Sequence, residues 1–235
     1  MPRRSPTMLA VVLLVTGCSD DRPGGANGQA TPATEPTSTT GPPLPGERHE
    51  IYPYRGARLG VAGVAAADTL KVRSAPGPDR EVVFELGPTA MNAIATGHNR
   101  SLPDGGFWSE ITVDSRNGWA NSRYLLQPGQ VNDITAELYP TPDRRASAKT
   151  LAELARIVAR QRAGGDPEAQ IVIVDGPTEG DLGEVTVDVV GLGDDSVGGE
   201  RLHVFAERSS QGFTVRSVEA TTFCRRGVTD DRLCV

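Results

Sequence analysis

Lysine is almost missing from this chain. Of its 24 basic residues only Lys71 and Lys149 are lysine, and the rest are arginine, set against 30 acidic residues for a formal net charge of −6. A surface with that balance does not recruit nucleic acid or anionic lipid. Abundant Arg, Ala, Gly, Val and Pro beside so few lysines is the usage of a GC-rich genome. No HExxH, GxSxG or Walker loop occurs, and no GxGxxG opens a helix after a strand, which removes the common hydrolase and nucleotide-binding signatures. The chain has three cysteines, and Cys18 is far from the other two, Cys224 and Cys234. The apolar run Met8 to Val15 is eight residues long. A membrane-spanning helix needs roughly twenty, so this run does not make one.

What that run does make is visible in its flanks. Arg3 and Arg4 precede it, no acidic residue interrupts it, and Val15, Thr16 and Gly17 lead into Cys18. This is a charged region followed by an apolar region, the layout of a removable signal over residues 1–17. The stretch into Cys18 resembles the lipobox of bacterial lipoproteins. The resemblance implies acylation of the Cys18 thiol and anchoring at the extracytoplasmic face of the cell membrane. Two acyl chains at about 0.8 kcal/mol per buried methylene hold a protein there without a helix. Removing Arg3 and Arg4 leaves 22 basic residues against 30 acidic, a net charge of −8.

Export bears on the other two cysteines, because disulfides persist outside the cytoplasm. Cys224 and Cys234 bound the short segment CRRGVTDDRLC. A structural disulfide is the favoured reading. A redox or metal pair is the alternative, although the spacing is not CxxC and no histidine is near. No metal site and no cofactor is expected.

Residues 18–50 are rich in Thr, Pro, Gly, Ser and Ala, as in QATPATEPTSTTGPPLPG, and offer little apolar surface to offset the entropy of ordering. They read as an extended tether. The remainder suits two small domains, 51–128 and 129–235, with a seam at LQPGQVND, residues 126–133, where Pro128 and Gly129 interrupt the apolar pattern.

In the first domain TLKVRS, EVVFEL, MNAIATG, FWSEITV and GWANSRYLL read as short strands with one buried face. TLKVRSAPGPDREVVFEL, then FW, then GWANSRYL resembles the bacterial SH3-like family (SH3b, type 3). The match rests on Leu70, Val72, Arg73, Pro76 and Gly77, on Trp108, and on Gly118, Trp119, Tyr124 and Leu125. Lys71 stands where the family usually has Asn, and GHNRSLPDGG, residues 97–106, reads as a long polar loop carrying His98. The resemblance implies a small non-catalytic all-β barrel that contacts peptidoglycan or another envelope polymer. Trp119 and Leu125 are expected in its core, and Trp108, Tyr124 and Arg73 in a ligand groove.

The second domain opens with SAKTLAELARIVARQRAGG, where Leu151, Leu154, Ala155 and Val158 recur at helical spacing. Thr150 with Glu153 forms a capping box, and Gly164 or Gly165 ends the helix. QIVIVD, EVTVDVVGL, RLHVFAER and GFTVRSVEATTFC follow as strands, so one helix on an antiparallel sheet, an α+β domain, is expected. Ten acidic residues and no basic one lie between Arg162 and Arg201. They lack the ligand order of a calcium loop and read as a solvated or partner-facing acidic edge.

Together these features point to a lipid-anchored lipoprotein that binds a cell-wall polymer or an envelope protein and is not an enzyme. Two alternatives stand beside it: a cell-wall hydrolase or a regulator of one, and a solute-binding lipoprotein, which the short second domain disfavours. His203 on a strand and His49 in the tether have no catalytic partner in sequence.

Overall fold

Strand pleating sends successive side chains to opposite faces, so the Leu70/Val72 against Lys71/Arg73 alternation makes strand β3 (Leu70–Arg73) with two buried and two half-buried residues. A computed structural model describes residues 43–235, and Cys18 and the signal lie outside them. Before β3 come β1 (Glu47–His49) and β2 (Arg58–Val61). After it come β4 (Val82–Leu86), β5 (Ala93–Ser101), β6 (Phe107–Val113), β7 (Arg116–Asn121) and β8 (Leu125–Asp133). Asp114 (φ 48°) and Ser115 (φ 64°) form the tight turn of the β6–β7 hairpin, both in the left-handed region that matches strand twist. Leu59, Val61, Val72 and Ile111, all fully buried, centre the core of this N-terminal region.

The C-terminal region has a short helix α1 (Thr135–Leu138), β9 (Ser147–Ala148) and a 13-residue helix α2 (Leu151–Ala163). The Thr150 hydroxyl accepts from Glu153 N at 3.2 Å, and Gly164 ends α2 in the left-handed conformation. Four long strands follow: β10 (Gln170–Thr178), β11 (Leu182–Val190), β12 (Val197–Ser209) and β13 (Gly212–Cys224). Leu151, Leu154, Ala155 and Val158 of α2 are fully buried against Val187, Leu202 and Val204. A Cβ at Gly183 would come within 2.7 Å of Leu151, so glycine lets the helix lie close on β11. At the far end of α2, Arg162 Nε and Nη2 donate to Glu200 on β12 at 2.5 and 2.7 Å, clamping helix to sheet.

The expected fold class, a separate SH3-like barrel followed by an α+β domain, is overturned. The strands belong to one 13-stranded antiparallel sheet running β10-β11-β12-β13-β8-β2-β5-β6-β7-β3-β4, with β1 on β5 and β9 on β13. The path has two ends, β10 and β4, and the described residues form one compact unit. The expected seam is itself β8, which pairs with β2 on one side and β13 on the other. Pro128 sits at a register shift opposite Phe223, where the missing N–H breaks no regular ladder. Gly129 is needed for contact: a Cβ there would meet Arg232 O at 2.9 Å and Cys224 Sγ at 3.2 Å. Both residues that read as a break therefore serve pairing.

Two further corrections are local. Glu47–His49, expected as tether, pairs with β5, and His49 Nε2 lies 2.6 Å from Ser101 Oγ. Residues 97–101, expected as loop, are the end of β5.

Candidate functional site

Arg73, Trp108 and Tyr124 come from three separate elements and line one cleft of about 490 Å³. Strand β3 sets Arg73 opposite Trp119 of β7, while β6 sets Trp108 opposite Asn121 at the end of β7. A single 3₁₀ turn, Ser122–Tyr124, follows, and Asn121 Oδ1 caps it by accepting from Arg123 N at 3.0 Å. That capped turn delivers Tyr124 to the cleft. Lys71 and Asp68 add charges of both signs to its lining, and Val172 of β10 adds an apolar residue from the C-terminal region. The loop that carries Asp68 is tied to the same strand by Ala66 N, which donates to Ile173 O at 2.9 Å.

The charges differ in how far they are committed. Lys71 Nζ donates to Thr69 Oγ1 at 2.6 Å and lies 3.1 Å from Glu85 Oε1. Thr69 Oγ1 donates in turn to Glu85 Oε2 at 2.6 Å, and the Thr69 hydroxyl followed by Lys71 holds Glu85 below the usual carboxylate range. Arg73 Nη1 donates to a neutral acceptor, Arg80 O, at 2.6 Å. Trp108 is 5 % exposed and Tyr124 half-buried, so the tryptophan forms a wall while the tyrosine presents a rim. The open volume is thus bounded by a nearly buried indole, a half-exposed phenol, an arginine held by a neutral acceptor, and a lysine already paired with Glu85, with Asp68 beside them. Trp119 and Leu125 are each 3 % exposed.

The other residues singled out in the sequence lie elsewhere. Cys224 and Cys234 are joined by a disulfide with Cα atoms 5.1 Å apart, and Cys18 lies outside the described residues. The bond closes a C-terminal loop against β8, where Arg232 Nε and Nη2 donate to Gly129 O and Pro128 O, each at 3.1 Å. His98 is exposed on β5, with Nδ1 2.8 Å from Glu110 Oε2. His203 on β12 has Nε2 3.4 Å from Glu184 Oε2. Among the described residues no group of three or more His, Cys, Asp or Glu converges to hold a metal, and no helix is long and apolar enough to cross a membrane.

The acidic stretch does not form one edge. Asp188 is fully buried, and its oxygens accept from Arg201 Nε at 2.8 Å, Arg201 Nη2 at 2.9 Å and Gly63 N at 2.9 Å. Burial pushes this carboxyl up, and Arg201 with the Gly63 amide opposes the push. Arg201 also donates to Val61 O at 2.9 Å and Pro88 O at 2.8 Å, so this pair of the C-terminal region is satisfied by backbone from the N-terminal one. Glu200 is 7 % exposed and taken up by Arg162. Neither pairing has a signal in sequence beyond opposite charges, on neighbouring strands for Asp188 and Arg201 and on helix and strand for Arg162 and Glu200. The part played by Val172 at the cleft rests on a long-range contact that local pattern does not carry.

Compared with protein-family models, with curated proteins and with solved structures, the chain matches none.

Proposed function

We propose that this protein is an extracytoplasmic lipoprotein, anchored at Cys18, whose Arg73–Trp108–Tyr124 cleft binds a cell-envelope polymer, peptidoglycan first among them, without cleaving it. The observation that carries this reading is the convergence of those three residues, 51 positions apart along the chain from first to last, on one open cleft with Lys71 beside them. Glycan rings offer apolar faces that stack on the Tyr124 phenol ring, while peptide carboxylates pair with the Arg73 guanidinium, whose own acceptor is neutral. The lipobox resemblance at Cys18 supports the address, and the SH3-like motif resemblance of TLKVRSAPG and GWANSRYL supports the ligand class. Residues between Cys18 and the first strand would carry the cleft outward from the membrane as a tether.

The test is sedimentation of the full chain, solubilised in detergent, with purified peptidoglycan. The wild type co-sediments and releases no soluble fragment. Arg73→Ala removes a contact worth about 1–3 kcal/mol at a hot spot, so its affinity falls at least about fivefold while the melting temperature holds. Release of soluble muropeptides by the wild type would instead make the protein a hydrolase.

A further inference from the structure

A second cleft, of about 300 Å³, lies where the N- and C-terminal regions meet, and its lining contains two arginines and no acidic residue in a chain with 30 of them. Arg123 comes from the turn after β7, and Arg225 directly follows the disulfide-bonded Cys224. Both side chains are exposed and held by neutral acceptors. Arg123 Nη2 donates to Gln170 Oε1 at 3.1 Å, and Arg225 Nη2 donates to Leu192 O at 2.9 Å. Among the described residues neither guanidinium is within ion-pair distance of a carboxylate, whereas Arg162, Arg201, Arg208 and Arg226 all are. Asp194 is close enough to feel Arg225, but its Oδ1 is occupied by Ser196 N at 2.7 Å and Val197 N at 2.6 Å.

The base of Arg225 is fixed three ways: by the disulfide, by its own N–H donating to Ser196 O at 2.8 Å, and by its stem packing on Gly198. A Cβ at Gly198 would come within 2.9 Å of Leu126 and 3.0 Å of the Arg225 stem, both residues of the lining. Glycine there keeps the cleft from being filled by its own wall. Ser122 also lines the cleft, but its hydroxyl donates to Ser109 Oγ at 2.8 Å, since Ser109 gives its own proton to Asn99 Oδ1, so the two guanidinium groups are the donors left.

We propose that this junction cleft is an oxyanion site that takes a phosphate group on a small organic ligand, with Arg123 and Arg225 donating from the two regions. Donors on separate elements suit a tetrahedral group with oxygens in several directions better than a planar carboxylate, and the planar guanidinium fork matches phosphate geometry. The volume is at the lower end of ligand pockets, and the apolar side chains of Leu125, Leu126 and Val190 leave room for a small organic body beside the anion.

Calorimetric titration of the full chain in detergent micelles tests this, with glycerol 3-phosphate, glycerophosphoglycerol, inorganic phosphate and acetate as probes. Phosphate-bearing probes bind, acetate binds more weakly, and affinity falls as salt rises. Arg123→Gln and Arg225→Gln each weaken binding about tenfold, as loss of one charge-assisted contact predicts, while Lys71→Gln in the other cleft leaves it unchanged. Tighter binding of the diester assigns the site to a polymer phosphodiester, and of the monoester to a free phosphate ester. Absence of heat with every phosphate probe, acetate binding as tightly as phosphate, or wild-type affinity in both arginine variants would overturn the assignment.

Discussion

The N-terminal strands β2 to β7 and the C-terminal strands β10 to β13 share one sheet yet are built differently. The former run from four to nine residues, and the latter from nine to 13 and lie under a helix. Long strands under a helix make a slab whose buried face carries Val185, Val187, Leu202, Val204 and Val218, with Glu200 taken up there by Arg162 of the helix. Short strands leave more loop and turn per residue, and there the sequence places both tryptophans, the capped turn that carries Tyr124, and the Asp68 loop. The long-strand slab and the candidate cleft are thus divided between the two regions, with Val172 of β10 the one lining residue from the C-terminal side. Asp188 and Arg201 hold them together: the ion pair is formed by β11 and β12, but backbone of residues 61, 63 and 88 completes it.

The sharpest way to break that comparison is to remove the join. Asp188→Ala leaves Arg201 buried without a counter-charge, and urea unfolding should show a loss of about 3–5 kcal/mol. Replacing the pair together, Asp188→Leu with Arg201→Met, should recover much of it, because no isolated charge remains. Cys224→Ala with Cys234→Ala frees the loop that Arg232 ties to β8 and costs about 2–3 kcal/mol by loop entropy, read from the same urea curve. Thr150→Ala removes the α2 cap alone, for about 1 kcal/mol, with peptidoglycan affinity untouched. The smallest effect is on pH. Asp166 and Asp194 lie below the usual carboxylate range because backbone N–H groups of Gly193 and Val197 bond them, so what they contribute is present above about pH 4 and lost as pH falls further. The melting temperature should decline slightly in that window, less so in Asp166→Asn.

Helix α2 was legible because three independent signals coincided: apolar spacing from Leu151 to Val158, Thr150 at its start and Gly164 at its end. Individual strands were legible where alternation was clean, as at Leu70 to Arg73. The joining of the two regions was not. Pro128 and Gly129 carry the composition of a linker, and only the contacts with Phe223, Cys224 and Arg232 show that a bulge and a close approach require them. Asp188 looks like its acidic neighbours in sequence, and what separates it is a guanidinium on the next strand. At the cleft, Trp108, Tyr124 and Arg73 were recognisable by type and motif, whereas Val172 and the second arginine-lined cleft depend on which strands become neighbours.

The division between site and scaffold is tested most directly by one pair of variants assayed side by side for co-sedimentation of the full chain with purified peptidoglycan. Tyr124→Ala trims the rim of the N-terminal cleft, and His203→Ala trims a half-buried side chain on the C-terminal sheet. The account predicts at least about a fivefold loss of affinity for Tyr124→Ala, the scale of a lost aromatic contact, and wild-type affinity for His203→Ala. Full binding by a folded Tyr124→Ala, or loss confined to His203→Ala, would contradict it.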